Sequence, residues 1–115
     1  MDNETIPLDS SSSPADEPLY ILSLLNNEFM STSWKLINKD YNIGRSSENN
    51  IILDDITVSR KHALLSVSKE KIMILDNNST NGIYINNEIK NKFTLKSGDK
   101  IQIGKYLLLL TKVTK

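Results

Sequence analysis

Three polar clusters hold the side chains best suited to chemistry: Gly44-Arg45-Ser46-Ser47, Ser59-Arg60-Lys61-His62 and Asn77-Asn78-Ser79-Thr80-Asn81-Gly82. Between them they offer guanidinium forks, hydroxyls and side-chain amides, a set rich in hydrogen-bond donors and suited to phosphate oxygens. A phosphorylated side chain brings about two negative charges and three strong acceptors, so convergent donors with one or two arginines can hold it without a metal or any other cofactor. Spacing along the chain does not by itself bring the three clusters together.

Other chemistries can be drawn from the same residues. Ser59 and His62 suggest a nucleophile and its base, but no Asp or Glu is evidently placed to orient the imidazole, and the chain has a single histidine. No catalytic residue is assigned. Asp54, Asp55, Asp76 and His62 suggest a metal site, yet their spacing is unspecific and adjacent aspartates usually mark a solvated turn. No metal ligand is assigned.

The elements that must position these clusters are short. Of the 115 residues, 38% are hydrophobic, enough for one compact domain. From Leu19 onward apolar runs recur between turn signals: Leu19 to Leu25, Trp34 to Ile43, Ile51 to Leu53, Ala63 to Val67, Ile72 to Leu75, Ile83 to Ile85, Ile101 to Ile103 and Tyr106 to Leu110. Many short strands at close spacing predict an all-β sandwich or barrel. Alternation predicts Ala63, Leu65 and Val67 on one face of a strand. Asn81-Gly82, Asn86-Asn87 and Ser97-Gly98-Asp99 are turn chemistry, because Gly and Asn accept positive φ readily; Asn81-Gly82 is in addition the strongest short hairpin signal. Asn49, Asn50, Asn77 and Asn78 read as turn or loop residues without a further role. Leu19, Leu22, Leu25 and Phe29 fit helical spacing as well as a strand, and pattern alone leaves both open.

Composition narrows the partners. Fourteen Lys and Arg balance fourteen Asp and Glu, so no global basic field favours nucleic acid. Cysteine is absent, which removes disulfides and thiolate chemistry and suits a reducing compartment. No apolar run approaches the roughly 20 residues of a membrane helix, and the acidic, serine-rich start lacks the regions of a signal peptide. The expectation is a cytoplasmic protein with no membrane partner. Residues 1–18 hold all three prolines and four consecutive serines, and read as a flexible tail ahead of a domain spanning 19–115.

The runs IGRSSENNIILDDITVSRKHALL, ILDNNSTNGIYIN and LKSGDKIQIGKY resemble a forkhead-associated (FHA) domain, a phosphothreonine-binding sandwich, over approximately Leu19 to Val113. The family pattern is a Gly-Arg pair, a Ser and a His separated by two residues, and an Asn-Gly pair, matched here by Gly44-Arg45, Ser59 with His62, and Asn81-Gly82. The resemblance implies about eleven strands in two packed sheets, with loops at one end forming the binding site, and it makes Leu19 to Leu25 a strand. It implies phosphate contacts from Arg45, Ser59 and Arg60, contact with the threonine methyl from Thr80, and a peptide-backbone hydrogen bond from Asn81. Gly44, His62 and Gly82 match loop-shaping positions, and His62 is expected to brace the Ser59 loop. The implied partner is a phosphothreonine-containing protein, a Ser/Thr kinase or its substrate. The alternative is an interaction or dimerisation domain that works without phosphorylation, through a sheet face where part of Leu107 to Leu110 is exposed.

Thr5 is a candidate phosphorylation site, because some small bacterial members of this family bind their own phosphorylated N-terminal threonine. The thirteen Cα–Cα steps from Thr5 to Pro18 give a flexible tail a mean reach of roughly 20 Å, against a domain radius of about 13 Å.

Overall fold

The computed structural model describes residues 17–25 and 32–113. Eleven strands form: β1 (Tyr20–Leu24), β2 (Ser33–Leu36), β3 (Asp40–Gly44), β4 (Ile51–Ile52), β5 (Ala63–Val67), β6 (Ile72–Asp76), β7 (Ile83–Ile85), β8 (Glu88–Lys90), β9 (Lys92–Leu95), β10 (Lys100–Ile103) and β11 (Tyr106–Lys112). They make a six-stranded sheet in the order β2-β1-β11-β10-β7-β8 and a five-stranded sheet in the order β4-β3-β5-β6-β9. Only β3 and β4 pair in parallel.

Alternation explains the core. In β5, Ala63, Leu65 and Val67 are buried while Leu64 and Ser66 are half-buried, as the period of two requires. Ile43, Ile51, Leu65, Ile72 and Ile74 from the five-stranded sheet join Leu22, Ile83, Ile101, Leu108 and Leu110 from the six-stranded one in a single buried cluster. β1 is a strand held on both sides, by β2 and by β11. Its Tyr20 and Leu22 are buried, a two-residue period that the competing helix would not give. Phe29, the last residue of the helical pattern, lies outside the described residues.

The structure corrects the apolar pattern at three places. The run from Trp34 to Ile43 is two strands in different sheets, since β2 pairs with β1 and β3 with β5; the chain changes sheet at residues 37–39, where the Ile37 amide donates to the Tyr41 hydroxyl at 2.9 Å. Strands β8 and β9 carry no apolar run, because both lie at sheet edges with mostly exposed residues. Asn81-Gly82 is not a hairpin: the flanking β6 and β7 belong to opposite sheets. The two-residue hairpin is Asn86-Asn87, with φ of 49° and 74°, closing the Ile85–Glu88 pair of β7 and β8. Positive φ at both central positions is the twist-matched form of this turn. No helix among the described residues is long and apolar enough to cross a membrane.

Candidate functional site

Four connections meet at one end of the sandwich: residues 45–50 after β3, 53–62 after β4, 77–82 after β6, and Gly104-Lys105 after β10. Hydrogen bonds tie them pairwise. The first begins at Gly44, where a Cβ would collide with the Arg60 carbonyl and come within 2.8 Å of Asn49 Nδ2, so close backbone approach demands glycine here. That approach lets the Arg45 amide donate to Ser59 O at 3.0 Å and the Ser46 amide to Arg60 O at 3.2 Å. Arg45 Nε donates to Val58 O at 2.9 Å. The Nε contact holds one edge of the guanidinium of Arg45, a residue that is exposed overall.

His62 is the hinge of the second connection. It is fully buried, its Nδ1 accepts the Ser59 amide at 3.0 Å, and its Nε2 lies 2.8 Å from Gly82 O. A carbonyl can only accept, so Nε2 carries the proton and Nδ1 does not. The same side chain thus orders the Ser59 loop and anchors the loop of Asn81. Nδ1 meets the Ser59 backbone rather than its hydroxyl, so His62 is not placed as a base for that serine. Its Oγ accepts the Thr80 amide at 3.0 Å, leaving the hydroxyl hydrogen to donate elsewhere.

The third connection is built on Asp76, whose carboxylate accepts from the Ser79 amide at 3.3 Å and from the Ser79 hydroxyl. Ser79 Oγ in turn accepts the Gly82 amide at 2.9 Å. Gly82 has φ of 80°, a conformation that favours glycine, and a Cβ there would need only the exposed Ile89 side chain, 2.9 Å away at Cδ1, to shift. Asn81 Nδ2 donates to Thr57 O at 2.9 Å, linking this loop to the second. Thr57 Oγ1 accepts the Lys105 amide at 2.9 Å, which brings in the β10–β11 turn.

Asp55 braces that junction. Its Oδ2 accepts the Thr57 hydroxyl at 2.6 Å and the Thr57 amide at 3.0 Å, and Oδ1 lies 3.2 Å from Lys105 Nζ. The Thr57 hydroxyl first, then its amide, hold the Asp55 carboxyl down from 3.8 to about 2, with Lys105 adding to the effect.

Arg45, Ser59, Thr80 and Asn81 are therefore brought to one end, and Gly44, His62 and Gly82 lie beneath them. Arg60 stands exposed beside Ser59, entering the network through its carbonyl. Three of the four residues drawn as a metal set are engaged with other partners: Asp55 with Thr57 and Lys105, Asp76 with Ser79, and His62 through both ring nitrogens. Thr5 lies outside the described residues.

Sequence reasoning missed Asn49, which is buried and donates from Nδ2 to Ser46 O at 2.9 Å and Arg60 O at 2.7 Å. An asparagine two residues before a strand reads as a turn residue, and only the fold reveals its two carbonyl partners. Thr57 and Asp76 were missed as bracing residues for the same reason. Asn78, with φ of 54°, serves a local turn, and Asn50 Oδ1 accepts the amide of Asn42 in β3 at 2.7 Å, tying its loop to that strand.

Residues 41–104 match the family model described as the FHA domain. Among curated proteins, the chain is 46% identical over 66 residues to the oxoglutarate dehydrogenase inhibitor of Corynebacterium efficiens, an alignment covering 57% of this chain and 46% of the relative. It is 41% identical over 66 residues to the glycogen accumulation regulator GarA of Mycobacterium tuberculosis, covering 57% of this chain and 41% of that protein. The aligned part thus spans less than half the length of these relatives. Among solved structures, the FHA domain of the CT664 protein from Chlamydia trachomatis superposes with a TM-score of 0.78 at 25% identity, covering 84% of this chain and 99% of that one. Mycobacterium tuberculosis EmbR in complex with a low-affinity phosphopeptide superposes with a TM-score of 0.72 at 28% identity, covering 83% of this chain and 25% of that one.

Proposed function

Since the chain belongs to the FHA domain family, we propose that it reads phosphothreonine in a partner protein and acts by reversible binding, without catalysis. The observation that carries the reading is the clamp on Arg45: its amide and Nε are held by the Ser59 and Val58 carbonyls, which ties an exposed arginine to the loop that carries the Ser59 hydroxyl. A preorganised fork next to a hydroxyl donor suits a dianion, because little side-chain freedom is left to lose on binding. In this reading Arg45, Ser59 and Arg60 contact the phosphate, Thr80 packs on the threonine methyl and Asn81 reads the peptide backbone. That Asn81 Nδ2 is already bonded to Thr57 O fixes its orientation and leaves the amide oxygen to accept a peptide N–H.

Relatives named as an inhibitor and as a regulator support a role in controlling other proteins. The partner class is a phosphothreonine protein in the cytoplasm, a Ser/Thr kinase or a kinase substrate, with the chain's own Thr5, once phosphorylated, as an intramolecular competitor. The deciding experiment is capture from a degenerate library carrying phosphothreonine, phosphoserine or unmodified threonine. We expect selective capture of phosphothreonine, and a loss of about 2 to 5 kcal/mol in Arg45→Ala, where part of the phosphate charge is left unpaired. Capture that ignores phosphorylation, or survives Arg45→Ala, would refute the reading. For the alternative, a phosphorylation-independent interaction domain, the run first expected to serve offers only Leu107 and Leu109, which are half-buried, since Leu108 and Leu110 are buried in the core.

A further inference from the structure

The outer face of the six-stranded sheet departs from the polar composition expected where an antiparallel sheet faces water. Strand register aligns Ile89, Tyr84, Gln102 and Leu107 in one row across β8, β7, β10 and β11. Ile89 is 60% exposed and Tyr84 38%. Two shallow grooves flank the row. One, of about 320 Å³, is lined by Thr57, Asn81, Tyr84, Gln102, Gly104 and Lys105; the other, of about 190 Å³, involves Tyr84, Asn86, Asn87, Lys100, Gln102 and Leu107.

The row is continuous with the loop end. Thr57, Asn81 and Gly104 belong to the connections described above, and they share the larger groove with Tyr84 and Gln102 of the sheet. Ile89 Cδ1 lies against Gly82, so the far end of the row also touches the Asn81 loop. The charge on this face has one sign. Alternation places Lys100 and Lys35 on it, and no carboxylate among the described residues of these strands points the same way; Glu88 of β8 has the opposite parity to Ile89 and pairs with Lys90 at 3.3 Å.

We propose that this face is a second docking surface, occupied by an acidic and apolar stretch of the phosphothreonine protein itself, running on from the phosphorylated residue. The inference rests on the phosphothreonine reading. Apolar side chains of that stretch cover Tyr84 and Ile89, and its carboxylates approach Lys100. Charge complementarity selects an acidic occupant, and the shared groove makes its entry continuous with the phosphate end.

The test uses the full chain and synthetic peptides built on one phosphothreonine core taken from the library. One peptide ends four residues beyond the phosphothreonine; others add ten residues of mixed Asp, Glu and Leu, or of Gly and Ser, on either side. We expect the acidic-apolar extension on one side to tighten binding by about tenfold, a contribution of one or two well-packed contacts. Tyr84→Ser and Lys100→Glu should each remove that gain while the short peptide binds them as it binds the wild type. Amide shifts should divide accordingly, with the phosphate moving Arg45 and Ser59, and the extension moving Tyr84, Lys100 and Gln102. A short peptide that binds through Arg45 with no gain from either acidic extension overturns the second surface and leaves the phosphothreonine reading intact. A gain that persists in both variants also overturns it. Absence of any shift at Arg45 and Ser59 defeats the reading on which the proposal rests, and the proposal falls with it.

Discussion

At the residue scale, the site depends on side chains that touch no ligand. His62 accepts from the Ser59 N–H at Nδ1 and donates from Nε2 to the Gly82 carbonyl, on two different loops, so its replacement leaves both half-buried backbone groups without that partner. Each such group costs about 1 to 3 kcal/mol, and His62→Ala is expected to destabilise the domain by about 2 to 4 kcal/mol in urea denaturation. An effect below 1 kcal/mol would mean that water or a neighbouring group satisfies both, contrary to the bracing role. Gly44 belongs to the same logic, since its missing Cβ is what lets the Arg60 carbonyl approach the Arg45 loop. Chemistry at the surface is therefore set by packing one layer below.

At the element scale, the turns make separable predictions. Asn86-Asn87 closes the β7–β8 hairpin with both residues at positive φ, a region that asparagine tolerates and glycine occupies without strain. Asn87→Gly should leave the melting temperature unchanged or raise it slightly, whereas Asn87→Ala should cost about 1 kcal/mol by thermal denaturation. Equal effects of the two would argue against the turn geometry. The second connection predicts a pH dependence. Asp55 is held at about 2 in the folded protein against an ordinary 3.8, so its charged form stabilises the fold. That contribution is fully present above about pH 5 and is lost as pH falls through about 4 toward 2. The stability difference between wild type and Asp55→Asn should thus be flat from pH 5 to 8 and shrink on acidification; a difference that grew toward low pH would contradict the depressed carboxyl.

At the scale of the whole molecule, ligand binding and folding are linked. The candidate phosphopeptide contacts are spread over residues 45 to 81 and meet only when both sheets are formed, so a ligand binding them binds the native state alone. At a concentration 100 times its dissociation constant, a phosphothreonine peptide should add about 2.7 kcal/mol to stability, seen as a rise in melting temperature. The rise should vanish in Arg45→Ala and with the unphosphorylated peptide. A comparable shift from the unphosphorylated peptide would instead favour binding through a sheet face.

The sequence alone determined the all-β class, most of the strands and the identity of the polar clusters, because strand alternation and turn residues act over two to four positions and are written locally. The Gly-Arg, Ser-x-x-His and Asn-Gly pairs stood out through the resemblance to the FHA family. Tertiary structure decided which strands share a sheet: β2 and β3 come from one apolar run yet pair with different partners, and β8 and β9 are edge strands too polar to announce themselves. It also decided what the asparagines do. Asn81-Gly82 crosses between sheets while Asn86-Asn87 makes the hairpin, and Asn49 is buried across two carbonyls from separate loops. Those roles arise from contacts between residues more than ten positions apart, such as Arg45 with Val58, His62 with Gly82 and Asn81 with Thr57, which local pattern does not encode.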